Sequence, residues 1–288
     1  MSDCLQVEIF MKYVQWVVTA VGLYISLYTL YNLILIIIHW LYAEIVKTVE
    51  RPVTLFKILI PAHNEELLLG RLLKSIGEQD YPKDMYDVLV IADNCTDHTA
   101  VVARCNGAST IERIDLCNTG KGHAIKYGLE CIASTEYDAV FVVDADSIIA
   151  SSALSELDRA IQHGARIMQC YNGVINANDS WFTRLMDVSR SFGNEVLGPA
   201  KEKVGLSSHL MGNGMCFVRD VIIRYGWDAF TVGEDWEYYA KVVLQGERVA
   251  FANKARVYHN ESVNLRQATT QRLRWSGGRF AVAAKHGA

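Results

Sequence analysis

Residues 140–147, which read Val-Phe-Val-Val-Asp-Ala-Asp-Ser, constrain the fold of this chain more than any other segment. The apolar run is rich in β-branched residues, which is typical of a strand buried on both faces of an α/β sheet. Two carboxylates, Asp144 and Asp146, end it, and like charges at that position raise each other's pKa unless a cation lies between them. Because ligands bind at the carboxyl ends of such strands, the pattern predicts a divalent cation carrying a phosphorylated ligand. Two solvated aspartates in a tight turn are the alternative.

The composition fits one globular domain with an added membrane segment. The chain has 288 residues, of which 51% are hydrophobic, enough for a full core. Its net charge is -4 and it has no long basic run, which argues against a nucleic-acid partner because phosphate backbones bind clustered Lys and Arg. The cysteines include no Cys-x-x-Cys pair, which favours reduced thiols in a cytosolic domain over a disulfide framework or a zinc site.

Residues 16–40 contain no Asp, Glu, Lys or Arg. A helix of this length spans roughly 37 Å at ~1.5 Å per residue, more than the ~30 Å hydrocarbon core of a bilayer. We therefore predict an N-terminal tail over 1–13, a transmembrane helix over 14–42 and a connector over 43–54. A cleavable signal peptide is the alternative, but the run is too long and no small-residue cleavage site follows. Lys and Arg are fewer before the helix than after it, which predicts a membrane protein with a cytoplasmic catalytic domain.

From residue 55 onward, strand-like and helix-like segments alternate. The predicted strands are 56–61, 86–92, 109–114 and 139–143, and the predicted helices are 65–79, 122–134, 151–163 and 234–244. Such alternation implies right-handed βαβ crossovers. We expect one α/β domain over 55–288, with a mostly parallel sheet and helices on both faces.

Polar residues accumulate in the loops that follow the predicted strands. Glu65 follows the first strand, Asp93 ends the second, and Lys121 lies between two glycines in the third loop. Glycines let the backbone approach a phosphate that an ammonium group can neutralise. This third loop lacks other residues of a P-loop, and no Gly-x-Gly-x-x-Gly fingerprint follows the first strand, which argues against a nicotinamide or flavin enzyme. Asp97, in the second loop, fits either a ligand contact or a helix N-cap.

Together these loops resemble the family 2 glycosyltransferases of the GT-A fold over most of residues 56–280. The motifs that carry the resemblance are Pro-Ala-His-Asn-Glu at 61–65, Asp93, Lys-Gly-His-Ala at 121–124 and the Asp-x-Asp pair at 144–146. Gly-Glu-Asp at 233–235 and Gln-Arg-Leu-Arg-Trp at 271–275 are similar to motifs of the membrane-bound synthase branch, which includes cellulose, chitin and hyaluronan synthases and ceramide glucosyltransferase. Those synthases continue into further transmembrane helices, so we expect either a fragment or an enzyme that transfers single sugars.

The resemblance implies a membrane-anchored, metal-dependent, inverting transfer of a sugar from a nucleoside diphosphate, expected to be UDP, to a polysaccharide or lipid acceptor. Asp146, with Asp144 beside it, would hold Mg²⁺ or Mn²⁺, and Asp235 at a helix start would be the general base, kept ionised by the helix dipole. The implied donor-binding residues are Glu65, Asp93, Lys121, Asp144, Gln271, Arg274 and Trp275. The implied acceptor-side residues are Gly212, Asn213, Gly214 and Glu234. Two of these interpretations have structural alternatives: Trp275 could be core filler, and His259, a further candidate contact, could be a satisfied interior histidine.

Two other functions compete with this one. A nucleotidyltransferase would share the sheet and the metal carboxylates, but it needs a Gly-rich, Arg-containing loop after the first strand, and residues 63–65 do not resemble one. A non-catalytic sugar-nucleotide-binding or assembly subunit of a polysaccharide synthase would be expected to lack Asp146, Asp235 or Arg274. All three are present.

Overall fold

The computed structural model describes residues 2–41 and 51–286, and the chain divides into two units, Met1–Glu44 and Ile45–Ala288. The first unit contains α1 (Ser2–Leu41), a single helix of 40 residues. Its segment Gln6–Leu41 is long and apolar enough to cross a membrane. Thr29 Oγ1 donates to the Ile25 carbonyl at 2.8 Å, which satisfies this hydroxyl within the helix as a bilayer would require. The helix already begins at Ser2, so the predicted tail is helical, while most of the predicted connector lies outside the described residues.

The second unit is built on an eight-stranded sheet with the order β3-β2-β1-β4-β7-β6-β8-β5. The strands are β1 (Phe56–Ala62), β2 (Tyr86–Asp93), β3 (Ser109–Arg113), β4 (Ala139–Val142), β5 (Ile148–Ile149), β6 (Ile167–Val174), β7 (Met215–Val218) and β8 (Val249–His259). β7 runs antiparallel to β4 and β6, and β5 runs antiparallel to β8, whereas the other pairings are parallel. The mostly parallel sheet is therefore confirmed, with two antiparallel strands in its second half.

Helices cover both faces of this sheet. They are α2 (Leu69–Gly77), α3 (Thr99–Cys105), α4 (Lys121–Ile132), α5 (Ala153–Gln162), α6 (Trp181–Ser191), α7 (Gly198–Lys203), α8 (Arg219–Tyr225), α9 (Glu234–Leu244) and α10 (Leu265–His286). Successive side chains of β1 point to opposite faces. Ile58 and Ile60 pack with α2 and α5 in one core, and Leu59 packs with α4, α8 and α9 in the other. This arrangement leaves the carboxyl ends of β1, β2 and β4 at one edge.

Two details bear on the sequence predictions. The predicted helix 65–79 is shorter in the structure and begins at Leu69, the first residue of α2. The residues before it form a turn in which the Glu65 carbonyl accepts hydrogen bonds from the backbone N–H groups of Leu68 and Leu69. The cysteines whose side chains are described form no disulfide with one another.

Candidate active site

A cavity of about 1000 Å³ opens at the carboxyl ends of β1, β2 and β4 and extends to the start of α9 and to α10. All but one of the predicted site residues line it: Glu65, Asp93, Lys121, Asp144, Asp146, Gly212, Asn213, Glu234, Asp235, Gln271, Arg274 and Trp275. Gly214 is the exception. Its φ is +69°, and an added Cβ would lie 3.0 Å from the Cβ of Cys170, so this glycine allows β7 to pack against β6 and takes no part in the cavity wall.

Asparagines hold the first two loops in place. Asn64 (φ 57°) and Asn94 (φ 51°) both have left-handed backbone conformations, which asparagine tolerates better than most residues. Asn64 Oδ1 accepts from the Thr96 N–H at 2.8 Å, tying the loop after β1 to the loop after β2. Asn94 Oδ1 accepts from the Asp115 N–H at 2.8 Å, tying the second loop to the chain after β3. Neither role was predicted from the sequence, although an asparagine within two residues of a strand end was a usable signal.

Asp93 is buried at the end of β2 and forms an ion pair with Arg113, whose Nη1 lies 2.6 Å from its Oδ1. Arg113 Nη2 also donates to Asp115 Oδ2 at 2.9 Å and to the Asn118 carbonyl at 2.7 Å. The guanidinium therefore fixes the Asp93 carboxylate and the loop leading to Lys121. Arg113 was not among the predicted site residues, because nothing in its local sequence distinguishes it from a surface arginine on an edge strand.

Lys121 joins three parts of the cavity. Its ammonium donates to Asp144 and to the Gly212 carbonyl, the latter at 2.7 Å, and lies 3.8 Å from Glu234 Oε1. Burial opposes the charge of Lys121, but the surrounding carboxylates, Asp144 first, raise its pKa above the usual lysine value. The lysine predicted to face a phosphate is thus the cation that compensates Asp144.

Carboxylates crowd the corner beside Lys121. Burial, followed by the charge of Asp144, raises the pKa of Asp146, while His259 and Lys121 lower it. The pKa of Glu65 is also raised, by burial and then by Asp146 and Asp144. A corner with this excess of negative charge favours a bound cation.

The donor atoms fit Mg²⁺ or Mn²⁺, which prefer oxygen ligands. Within residues 2–41 and 51–286, no group of three or more His, Cys, Asp and Glu side chains is arranged to hold a metal on its own. Asp146 and Asp144 would therefore need oxygens of a bound ligand to complete a coordination shell. His259 Nδ1 is buried on the same side of the cavity without a hydrogen-bond partner in the described part of the chain, and it is a further candidate ligand.

Asp235 and Glu234 lie at the N terminus of α9, whose N-cap is Gly233. Burial raises the pKa of both carboxyl groups and brings that of Glu234 to about 7, even though Lys121 opposes the rise. The pKa of Asp235 lies above its usual value because burial outweighs the hydrogen bond that Asp235 Oδ1 accepts from the Trp236 N–H at 2.8 Å and the charge of Lys121. A carboxylate with a raised pKa is a stronger base, which suits proton abstraction near neutral pH.

The loop after α7 approaches Asp235 closely at Gly212. This glycine has a φ of +80°, and an added Cβ would lie 3.4 Å from Asp235 Oδ2. Asn213 is buried, donates through Nδ2 to Ser147 Oγ at 2.9 Å and accepts at Oδ1 from the Asp144 N–H at 3.1 Å. Hydrogen bonds therefore link the predicted acceptor-side loop directly to the loop that carries Asp144 and Asp146.

α10 supplies Gln271, Arg274 and Trp275 to the opposite wall of the cavity. Trp275 is only partly buried, so it is a cavity residue and not core filler. Arg272 does not line the cavity, because its guanidinium lies 5.4 Å from the ring centroid of Phe182 on α6. The helix passes close to the start of α9, since an added Cβ on Gly278 would lie 2.8 Å from the Gly233 nitrogen.

Two further polar clusters lie in the cavity wall, and the sequence pattern had indicated only His259 and Glu261 of the second one as candidate contacts. The His209 ring stacks on Trp236 with centroids 5.6 Å apart, and the guanidinium of Arg279 lies 4.8 Å from the Trp236 centroid. On another wall, Glu261 accepts from Arg190 Nε at 2.5 Å and lies 3.6 Å from His259 Nε2. Burial opposes its ionisation, but His259 and Arg190 hold the pKa of Glu261 at about 2.

The chain is similar to known glycosyltransferases over most of its second unit. A probable glycosyltransferase of Bacillus subtilis is 26% identical over 241 residues, which cover 79% of this chain and 56% of that protein. The β-monoglucosyldiacylglycerol synthase of a Nostoc species is 25% identical over 200 residues, or 66% of this chain and 41% of that protein. The chain thus spans about half the length of the curated relatives it matches.

Solved structures share the fold. A mannosyltransferase from Pyrobaculum calidifontis in complex with GDP-Man and Mn²⁺ superposes with a TM-score of 0.68 and 23% identity, covering 90% of this chain and 72% of that one. The glucosyl-3-phosphoglycerate synthase of Mycobacterium tuberculosis in complex with Mn²⁺, UDP and phosphoglyceric acid superposes with a TM-score of 0.54 and 17% identity, covering 81% of this chain and 78% of that one.

At these identities the superpositions establish the GT-A fold alone, and the family rests on the sequence match. The description "glycosyltransferase like family 2" fits residues 52–278, a stretch that includes β1 to β8 and the motifs of the cavity wall. The chain belongs to glycosyltransferase family 2 and has the GT-A fold.

Proposed function

We propose that this chain is a membrane-anchored, metal-dependent, inverting glycosyltransferase that moves a sugar from UDP to a lipid or polysaccharide acceptor, with its catalytic domain in the cytoplasm. The observation that carries the proposal is the convergence of Asp144, Asp146, Lys121 and Asp235 in one cavity. These residues come from the loop after β4, the start of α4 and the start of α9, and a sugar transfer needs a carboxylate pair, a cation and a base in one site.

The donor diphosphate would lie between the carboxylate corner and α10. Asp146, with Asp144 and His259 beside it, would hold Mg²⁺ or Mn²⁺, which neutralises charge on the departing diphosphate when bound. Arg274 would add a charge-assisted contact to the same group, and Gln271 and Trp275 would close that side. Both neighbouring structures named above contain Mn²⁺ with a nucleotide ligand, which supports this assignment.

The nucleoside would lie at the carboxyl ends of β1 and β2, near Glu65 and Asp93. Asp93 is held by Arg113, so its carboxylate is pre-oriented for hydrogen bonds from a base. UDP is the proposed nucleotide because the resemblance implies it and because one structural neighbour binds UDP.

Asp235 would remove the proton of the acceptor hydroxyl as that hydroxyl attacks the anomeric carbon from the side opposite the diphosphate. Such a direct displacement inverts the anomeric configuration. Glu234, whose pKa is about 7, would keep a proton for part of the time and so limit repulsion beside Asp235. Gly212 and Asn213 would border the acceptor, with Gly214 supporting their loop from behind.

A lipid is the acceptor favoured by the comparisons. Relatives from two cyanobacteria, a Nostoc and a Synechocystis species, carry the name β-monoglucosyldiacylglycerol synthase, and the apolar helix α1 gives this chain a means of staying at the bilayer. The Gln-Arg-Leu-Arg-Trp motif at 271–275 instead favours the synthase branch and a polysaccharide acceptor. A non-catalytic subunit has less support, because Asp146, Asp235 and Arg274 all line the cavity.

Replacing the proposed base tests the mechanism. Asp235→Asn keeps the size and burial of the side chain but removes its basicity, so we expect transfer to fall at least about 100-fold while UDP still binds. The assay measures UDP release by the purified full chain in detergent, with a panel of UDP-sugars, Mg²⁺ or Mn²⁺, and diacylglycerol as acceptor. Asp220→Asn, which alters an exposed ion pair with Arg166, is the matched control. Near-normal turnover by Asp235→Asn would refute the assignment, and no donor consumption by the wild type would favour the non-catalytic alternative.

Removing the second carboxylate of the Asp-x-Asp pair tests the metal site separately. Asp146→Ala is expected to weaken UDP binding in the presence of Mn²⁺ at least about tenfold, because the cation loses a protein ligand. Calorimetric titration with UDP, with and without Mn²⁺, makes the measurement. In the absence of metal the variant and the wild type should bind UDP with similar affinity. Equal affinities in the presence of Mn²⁺ would contradict the role of Asp146.

A further inference from the structure

α6 carries an exposed apolar stripe that neither core of the second unit uses. Trp181, Leu185, Val188 and Phe192, the last just beyond its end, have exposed fractions of 70%, 52%, 61% and 43%. At 3.6 residues per turn these side chains fall within roughly 60° of one another around the helix axis. Phe182 lies outside this stripe and is buried. The helix therefore has apolar side chains on its outer face as well as on its inner face.

The stripe is a fixed feature of the fold. A capping box formed by Ser180 and Thr183 defines the start of α6. Single exposed apolar residues are normal on a protein surface, whereas four on one narrow helical face form a contiguous patch, and such patches mark interaction sites.

Two arginines flank this patch. Arg184 is exposed on α6 next to the stripe, and Arg272 of α10 contacts Phe182 and Met186 on the neighbouring side of the helix. The sequence of α10 contains Arg and Lys but no Asp or Glu. Asp187 of α6 opposes this charge, and Arg190 is already paired with Glu261. An apolar stripe that starts with Trp and is flanked by arginines is typical of helices that lie in the interfacial layer of a membrane.

We propose that the outer face of α6 docks in the headgroup layer of an anionic bilayer. The stripe would insert with Trp181 and Phe192 at its ends, and Arg184 and Arg272 would contact lipid phosphates. Two observations favour a bilayer over a protein partner. The arginines beside the stripe complement lipid phosphates, and the same chain contains the apolar segment Gln6–Leu41, which is long enough to cross a membrane.

Docking in this way would place the cavity about one helix diameter from the bilayer. At 3.6 residues per turn Arg190 lies on the face of α6 opposite the stripe, and it lines the active-site cavity. α6 would therefore separate the bilayer from the cavity wall by about 10 Å, and a lipid headgroup would reach the cavity around an end of this helix. This consequence rests on the proposed lipid acceptor, whereas the docking itself does not.

Photocrosslinking in the full chain tests the proposal. Leu185→p-benzoylphenylalanine and Val188→p-benzoylphenylalanine place a photoreactive ring on the stripe, and Ile223→p-benzoylphenylalanine places it on α8, where the native residue is 70% exposed. Each variant is reconstituted into phosphatidylcholine vesicles with or without phosphatidylglycerol, irradiated and analysed by mass spectrometry. We expect lipid adducts at 185 and 188 several-fold above those at 223, with higher yields when phosphatidylglycerol is present.

Adduct yields at 185 and 188 no greater than at 223 would overturn the proposal, as would a predominant crosslink between two copies of the chain. Equal yields in the two kinds of vesicle would overturn the role given to the arginines. Crosslinking needs no turnover, so an inactive but docked protein would contradict the proposed function alone, and an active protein without stripe adducts would contradict the docking alone.

Discussion

At the scale of single residues, charge compensation around Lys121 organises the cavity. The ammonium pairs with Asp144, lies 3.8 Å from Glu234 Oε1 and donates to the Gly212 carbonyl. A ligand phosphate that draws Lys121 toward itself would leave Asp144 without its cation, and a divalent metal beside Asp146 would restore the balance. Lys121 and the metal would thus be complementary partners of one diphosphate.

His209 gives the folded state a specific sensitivity to acid. Burial, with Lys201 and Arg279 nearby, lowers its pKa from 6.5 to about 4. Between pH 6.5 and pH 4 the unfolded chain therefore binds a proton at this residue that the folded chain does not bind. Stability from this group is present above pH 6.5 and is lost as the pH falls toward 4, with a loss of about 2 kcal/mol between pH 7.5 and pH 5. His209→Phe keeps a ring on Trp236 and should lose less stability than the wild type over that interval.

The measurement is the thermal unfolding midpoint of the full chain in detergent at the two pH values. His98→Asn, which removes an exposed imidazole, is the matched control and should behave like the wild type. An unchanged pH response in His209→Phe would contradict the burial of a neutral His209.

Residues that stand at strand ends in a recognisable motif could be predicted from the sequence, and Asp144, Asp146 and Asp93 all line the cavity as expected. Arg113 and His209 could not, since the role of each depends on partners far away in the sequence. Lys121 was identified by its glycines, but its partner Gly212 is 91 positions away. No local pattern encodes such a pairing.

At the scale of elements, the segment between α5 and α9 departs most from a simple pattern. β6 is buried along its whole length, yet it contains Gln169 and Asn172. Both donate to the Asn213 carbonyl, at 2.7 Å and 3.0 Å, and so hold the acceptor-side loop. These amides interrupt the apolar run that identifies a buried strand, so β6 was not predicted, whereas α9 was predicted with its observed bounds. The requirements of the site override the local signal here.

α4 meets the chain before α9 without room for a side chain. An added Cβ on Gly122 would lie 2.1 Å from the Ala229 carbonyl oxygen, and His123 stacks on Phe230 with ring centroids 4.2 Å apart. Gly122→Ala should therefore lower the free energy of unfolding by about 1–3 kcal/mol and weaken UDP binding, because Lys121 shifts with the helix.

Gly77→Ala in α2 is the matched control, since an added Cβ there meets nothing within 4 Å. It should stabilise the protein by about 0.5–1 kcal/mol. Thermal unfolding in detergent and UDP titration make the comparison. An unfolding midpoint of Gly122→Ala at or above that of the wild type would contradict the close contact.

At the scale of the whole molecule, the strands in the first half of the sheet pair as the alternation of strands and helices in the sequence predicts, and those in the second half do not. β1, β2, β3 and β4 are parallel neighbours, as βαβ alternation predicts. β7 then inserts antiparallel between β4 and β6, with Ala139 opposite Val218, and this register depends on long-range packing that no short window contains. The family resemblance, in contrast, was readable because its motifs sit on the regular half and on α9 and α10.

The contact between Gly233 and Gly278 has a mechanical consequence. Backbone meets backbone there, since an added Cβ on Gly278 would lie only 2.8 Å from the Gly233 nitrogen. Because no side chain separates the two backbones, we expect α10 and the first turn of α9 to move as one body. Arg274, proposed to contact the leaving group, and Asp235, proposed to take the proton, would then keep the same spacing during any movement of α10.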